Sequence, residues 1–98
     1  MTPNGLFRVV WTGLLLERIE AWGTQARETG TFQEFAATWR TIQTRLKRNP
    51  REWGEFLRHY EHLDLEEYLG ALAPFVVRYT VHHSELLVFV VDVTRLSP

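Results

Sequence analysis

The segment from Phe75 to Val93 restricts the fold more than any other part of the chain. Its two runs, Phe75-Val76-Val77-Arg78-Tyr79-Thr80-Val81 and Leu86-Leu87-Val88-Phe89-Val90-Val91-Asp92-Val93, are dense in β-branched and aromatic residues. Such side chains suit the crowded, pleated surface of a sheet. Only His82-His83-Ser84-Glu85 separates the runs. A link that short closes an antiparallel hairpin, and the second run is apolar enough to be a central strand.

The N-terminal half has a different period. Leu6-Phe7-Arg8-Val9-Val10-Trp11 is rich in strand formers and too short for a helix before Thr12-Gly13 interrupts it, which predicts a first strand. From Leu14 the apolar positions become Leu15, Ile19, Trp22 and Ala26, the 3.6-residue spacing of a half-buried helix. Thr12 is placed to cap its start and Gly30 its end. Thr31-Phe32-Gln33-Glu34 has the spacing of a capping box and predicts the start of a second helix. Phe32, Phe35, Ala36, Trp39, Ile42, Gln43 and Leu46 follow one face of it, and Asn49-Pro50 ends it, because the residue before a proline avoids the α region. The short Glu28–Thr31 link favours two antiparallel helices in contact.

Pro50–His62 reads as an irregular segment, since Gly54 weakens the helical turn that Pro50-Arg51-Glu52-Trp53 would begin. His62–Leu69 alternates imperfectly and suits a strand exposed on one face, with a break at Gly70–Pro74. The predicted order is β-α-α-β-β-β: an α+β fold with two antiparallel helices packed on a small, mainly antiparallel sheet.

Composition sets the outer limits. With 98 residues the chain has room for one domain, 1–98. It is 45% hydrophobic and 13% aromatic, enough to offset chain entropy. Four tryptophans point to a well-filled core, and no cysteine is present to form disulfides, thiolate metal sites or a nucleophile. No run approaches the ~20 apolar residues of a membrane span. The apolar stretch Val9–Leu16 lacks the basic flank and cleavage site of a signal peptide, so the expected location is the cytoplasm, with no membrane partner.

A net charge of −1 excludes a global attraction to nucleic acid. The charges are segregated, however. Arg40, Arg45, Lys47, Arg48, Arg51 and Arg58 face only two acids over the same stretch, Glu52 and Glu55, and the acidic cluster Glu61, Asp64, Glu66 and Glu67 follows. That basic stretch could attract an anion locally.

Several strings, in this order, resemble the RelE/ParE superfamily of bacterial type II toxin–antitoxin toxins. They are the opening strand Phe7-Arg8-Val9-Val10-Trp11, the helix end Leu46-Lys47-Arg48-Asn49-Pro50, then Trp53-Gly54-Glu55. The closing hairpin, with Val77-Arg78-Tyr79-Thr80-Val81 and Leu87-Val88-Phe89-Val90-Val91-Asp92-Val93, completes the likeness. The resemblance covers most of the chain. It implies a cytoplasmic bacterial toxin, of the kind associated with plasmid stabilisation. Such a toxin acts on translation by mRNA cleavage at the ribosome, or on DNA gyrase, and is neutralised by an antitoxin protein. The alternative is a non-toxic, non-enzymatic interaction domain that keeps the fold. A homodimer is left open, and no cofactor is implied.

Nuclease members of that superfamily use basic residues on the sheet and a C-terminal tyrosine. The nearest matches for the arginines are Arg78 and Arg95, each displaced from the family position, while His62–Leu69 contains no lysine and no tyrosine follows Tyr79. Whether the chain is an enzyme is therefore left open by its sequence. RNA cleavage by 2′-hydroxyl attack needs a base, stabilisation of the phosphorane and a proton for the leaving oxygen. The catalytic candidates are Arg78, His82 and Arg95, with His82 beside Arg78 as the acid or base. Candidates for binding a target or nucleic acid are Arg45, Lys47, Arg48 and Arg78.

Each candidate has a purely structural counterpart. Cations in the last turn of a helix gain ~0.3–1 kcal/mol each from its dipole. Arg78 lies in an apolar strand, where strand alternation sets it with Val76, Thr80 and His82 opposite Phe75, Val77, Tyr79 and Val81, and Asp92 across the hairpin would pair it. His59 and His62, spaced for one helix face, could join His82-His83 at a zinc ion, but surface histidines are the expected outcome and no metal site is assigned. Trp11, Trp22, Trp39 and Trp53 are expected in the core, Trp53 being the least constrained.

Overall fold

The closing hairpin forms as its sequence predicts, and the remaining strands assemble around it. A computed structural model describes residues 6–96. In chain order the elements are β1 (Arg8–Val10), α1 (Gly13–Thr29), α2 (Phe32–Arg48), a one-turn α3 (Pro50–Trp53), β2 (Glu55–Tyr60), β3 (Leu65–Leu72), β4 (Phe75–His82) and β5 (Leu87–Arg95). The five strands form one mixed sheet in the spatial order β1-β5-β4-β3-β2. β1 runs parallel to β5, and every other pair is antiparallel. The fold is α+β.

Alternation along β4 decides where the core lies. Phe75, Val77, Tyr79 and Val81 are buried, whereas Val76, Arg78, Thr80 and His82 look out from the other face. The helices cover the first face: Leu15 of α1 and Trp39, Ile42 and Leu46 of α2 share one core with these residues, Tyr68 of β3 and Val88, Val90 and Val93 of β5. Phe75 is the aromatic hub, with Trp39, Trp22 and Phe35 ring centroids at 4.9, 5.4 and 5.9 Å. Trp11, Trp22 and Trp53 pack at its margin half-buried. No helix among the described residues is long and apolar enough to cross a membrane.

The helical hairpin keeps one predicted cap and loses the other. Thr12 Oγ1 accepts from the Leu15 amide at 3.2 Å, starting α1 as expected. Gly30, at φ 78°, ends it in the left-handed conformation that glycine adopts without cost. The capping box at Thr31 does not form. The turn is so short that the Thr31 amide is engaged by the Ala26 carbonyl at 2.8 Å, closing α1. Its hydroxyl pairs with that of Thr29 at 3.1 Å.

The stretch Pro50–His62, predicted to be irregular, is the main correction. It holds α3 and the edge strand β2, so the order is β-α-α-α-β-β-β-β. β2 has no period to read because it is exposed on both faces, only Tyr60 being half-buried, and a bulge between Phe56 and Arg58 shifts its register. β3 starts three residues later than predicted, at Leu65, because Glu61–Leu63 forms a 3₁₀ turn and Asp64 turns the chain at φ 51°. The strand then runs through Gly70 to Leu72 instead of breaking there.

Gly70 is part of how α3 is held. The Trp53 ring lies over it, so that a Cβ at Gly70 would stand 2.5 Å from the ring. Trp53 stacks on Tyr79 at 5.7 Å and 10°, and Tyr79 stacks on Tyr68 at 5.6 Å and 13°. The buried Tyr79 hydroxyl donates to the Pro50 carbonyl. Gly70→Ala would force the ring off its stack, an overpacking cost of about 1–3 kcal/mol. The expected result is a fall in thermal midpoint of ~4 °C or more, and an unchanged midpoint would show that the ring is free to move aside.

Candidate active site

Consecutive strand residues point to opposite faces of a sheet, so Glu66 and Glu67 of β3 build two separate polar clusters. Glu67 faces the helix-free side and is 4% exposed. Arg78 Nη1 donates to its Oε2 at 2.9 Å, Tyr60 Oη donates to Oε1 at 3.0 Å, and Arg58 Nε stands 3.2 Å from Oε1. Burial pushes the Glu67 carboxyl pKa up, but the hydrogen bonds from Arg78 and Tyr60 and the charges of Arg58 and Arg78 outweigh it and hold it below the usual value. Both oxygens of this carboxylate are engaged. The cluster's role is to satisfy a carboxylate and two guanidiniums on an uncovered sheet face.

Glu66 faces the helix side, at the end of the sheet where β3 begins and β4 ends. His83 Nε2, from the β4–β5 turn, lies 2.9 Å from its Oε1, and Tyr68 Oη donates to the same oxygen at 2.8 Å. Arg51 Nε of α3 stands 3.5 Å from Oε1, and His59 Nδ1 of β2 stands 3.9 Å from Oε2. The hydrogen bond from His83 lowers the Glu66 pKa most, burial opposes it, and Tyr68 and Arg51 add to the lowering. An ionised carboxylate only accepts, so His83 Nε2 carries the hydrogen and Nδ1 is left to exchange a proton with a ligand. Burial, the largest influence, raises the Tyr68 pKa and keeps the phenol neutral. Arg51 is firmly charged, its pKa raised chiefly by Tyr68.

Cations of both clusters reach solvent, Arg58 and Arg78 being 63 and 44% exposed beside Glu67, but the Glu66 cluster also holds two imidazoles. The Glu66 side chain is 18% exposed, but His83, His59 and Arg51 are 31, 43 and 52% exposed. Phe56, on the same face of β2, meets Tyr68 edge-on at 5.8 Å and is itself exposed, leaving an aromatic surface beside the imidazoles. Two imidazoles, one guanidinium and one orienting carboxylate within hydrogen-bond or ion-pair reach can move protons and hold an anion together.

The residues singled out from the sequence are dispersed. Arg78 and His82 share the helix-free face, where Arg78 is engaged by Glu67. Asp92, opposite Arg78 in register, is instead held by Arg18 Nη1 at 3.0 Å. His82 meets Phe89 edge-on at 5.2 Å and Thr80 Oγ1 at 3.4 Å. Arg95 turns to the helix side, its guanidinium 5.4 Å from the Trp22 ring centre and donating to Gln25 at 3.2 Å. Arg78 and Arg95 therefore do not converge on one reacting atom. Arg45, Lys47 and Arg48 lie at the C-terminal end of α2. His59 and His62 fall in a strand and a 3₁₀ turn, so they share no helix face. Among the described residues no group of three or more His, Cys, Asp or Glu is placed to hold a metal ion.

The cluster that does converge has Glu66, His83, His59 and Arg51 from four different elements. The acidic run and the histidine pair are visible in the sequence, but the contact between Glu66 and His83 spans 17 residues and depends on the β3–β4 register. Comparison with protein-family models, with curated proteins and with solved structures finds no match to this chain.

Both carboxyls have folded-state pKa values below their unfolded ones. Their contribution to stability is present above the unfolded value of ~4.3, and is lost as pH falls through the folded value. Denaturant midpoints are expected to drop between about pH 5 and about pH 3, and to drop less in Glu67→Gln, which starts less stable at neutral pH. Parallel pH profiles for the two proteins would contradict this account of Glu67.

Proposed function

We propose that this chain is the toxin component of a bacterial type II toxin–antitoxin module, and that it cleaves RNA at the Glu66 cluster. The sequence resemblance to the RelE/ParE superfamily supports the first part, and the α+β architecture agrees with what that resemblance implies. The observation that carries the second part is the convergence of His83, His59 and Arg51 on Glu66 at an exposed end of the sheet.

The chemistry follows from the donors present. One imidazole takes the proton of a 2′-hydroxyl as its oxygen attacks the adjacent phosphorus. As the O2′–P bond forms and the P–O5′ bond breaks, the other imidazole, protonated, gives its proton to the departing O5′. The products are a 2′,3′-cyclic phosphate and a free 5′-hydroxyl, so atoms and protons balance. His83, oriented by Glu66, acts as the base, and His59 on the neighbouring strand acts as the acid. Arg51 stabilises the charge that gathers on the phosphorane oxygens. Phe56 offers a face for a neighbouring base.

A second reading has a specific observation in its favour. The arginines nearest the superfamily's nuclease positions are committed elsewhere, Arg78 to Glu67 and Arg95 to Trp22 and Gln25. A toxin that acts by contact with a protein such as DNA gyrase needs neither of them.

Expression in bacteria with and without the neighbouring gene tests the toxin reading, which expects growth arrest relieved by that gene. Primer extension on transcripts from arrested cells then separates the two modes. Cleavage ends are expected for the native chain, whereas gyrase poisoning would leave transcripts intact and induce DNA damage. Losing a general acid or base costs ~10²–10⁴ in rate, so His83→Ala and His59→Ala are each expected to lower in vitro cleavage of single-stranded RNA at least ~100-fold. Cleavage at the native rate in both variants would remove the Glu66 cluster from consideration.

A further inference from the structure

The exposed side of α2 carries a basic strip that neither the core nor the acid–base cluster uses. Arg40, Arg45 and Arg48 line one shallow depression with Thr41, Thr44 and Asn49. All three arginines are exposed, and among the described residues no carboxylate lies within 4.0 Å of them. Thr41 and Thr44 turn their hydroxyls back to the carbonyls of Ala37 and Arg40, at 3.1 and 3.0 Å, so the guanidiniums are the polar groups offered outward.

Helix electrostatics explains only part of this charge. Arg45 and Arg48 are in the last turn, where cations meet the negative end of the dipole. Arg40 lies about two turns earlier, where that effect has faded. Spacing of four places Arg40, Thr44 and Arg48 in one row along the helix. The strip also leads somewhere. After Arg48 the chain turns through Asn49 into α3, and Arg51, which reaches Glu66, follows three residues on. The Cα atoms of Arg48 and Arg51 can be no more than about 11 Å apart.

We propose that Arg40, Arg45 and Arg48 bind successive phosphates of single-stranded RNA, forming a track that continues through Arg51 to the acid–base cluster. The proposal rests on the ribonuclease reading for what happens at the Glu66 end, but the binding itself does not require cleavage. A phosphodiester strand suits the strip because it presents one anion per nucleotide to a row of cations on a rigid helix. All four cations are arginine, whose planar fork matches two phosphate oxygens at once. With a net charge of −1 the chain has no general affinity for polyanions, so the binding is local to this strip and salt-sensitive.

The test uses a fluorescein-labelled 2′-O-methyl RNA of about a dozen nucleotides, which lacks the attacking hydroxyl. Fluorescence anisotropy follows its binding to the full chain and to the triple variant Arg40→Gln, Arg45→Gln, Arg48→Gln across a salt series. Circular dichroism confirms that the variant is folded. The variant is expected to bind about tenfold or more weakly at low salt, with a log–log salt slope smaller by about 2, three phosphate contacts at ~0.7 each. Equal affinity and slope in the two proteins overturn the proposal, as does failure of the native chain to bind this RNA at low salt. A poly-glutamate peptide whose binding is lost in the variant while RNA binding is kept would assign the strip to an acidic protein instead. Because the probe cannot be cleaved, absence of ribonuclease activity would sink the catalytic reading without deciding this one.

Discussion

Tyr79 is the residue through which the separate parts of this molecule are joined. It is fully buried in the middle of β4, stacked between Trp53 and Tyr68. A phenol so placed needs an acceptor, because an unpaired buried hydroxyl is costly. It finds one in the Pro50 carbonyl, at the first residue of α3. That bond and the Trp53 stack pin a four-residue helix that could not persist by itself. Pinning α3 fixes where α2 ends, where β2 begins, and where Arg51 is held above the sheet.

On the sheet itself, the two-residue period of a strand does the sorting. Glu66 and Glu67 are adjacent and chemically alike, yet one lies at an open end on the helix side and the other is buried among cations on the opposite face. The difference is one of neighbours, not of residue type. Glu67 engages Arg78, Tyr60 and Arg58 through its two oxygens and is spent on holding them. Glu66 orients the His83 imidazole through a hydrogen bond and has the His59 imidazole 3.9 Å away, and both side chains are partly exposed, so its cluster retains the capacity to exchange protons with something bound.

Much of the fold was legible because the signals were local. The hairpin showed in the density of Val, Phe and Tyr around His82–Glu85, and the helices showed in the spacing of Leu15, Ile19 and Trp22 and of Phe35, Trp39, Ile42 and Leu46. The alternation along β4 correctly set Arg78, Thr80 and His82 on the face away from the core. β2 was hidden because an edge strand exposed on both faces has no period, and its bulge breaks what register it has. Gly70 looks like a break in the sequence because the Trp53 ring that occupies its missing side chain is 17 residues away.

The candidate site was hardly legible at all. Arg78 and Arg95 are three strand steps apart in the same hairpin region, yet they sit on different strands and different faces, each with a partner that no short-range pattern announces. Glu66, His83, His59 and Arg51 come together only because β3 pairs with both β2 and β4 and because Tyr79 holds α3 against them. By itself the sequence determined the two long helices, the closing hairpin and which side of β4 faces the core, since periodicity and residue shape act over a few positions. Only tertiary structure decided which of its many charged groups are consumed by one another and which stay available, because that depends on strand register and burial, and these exist only once distant segments have met.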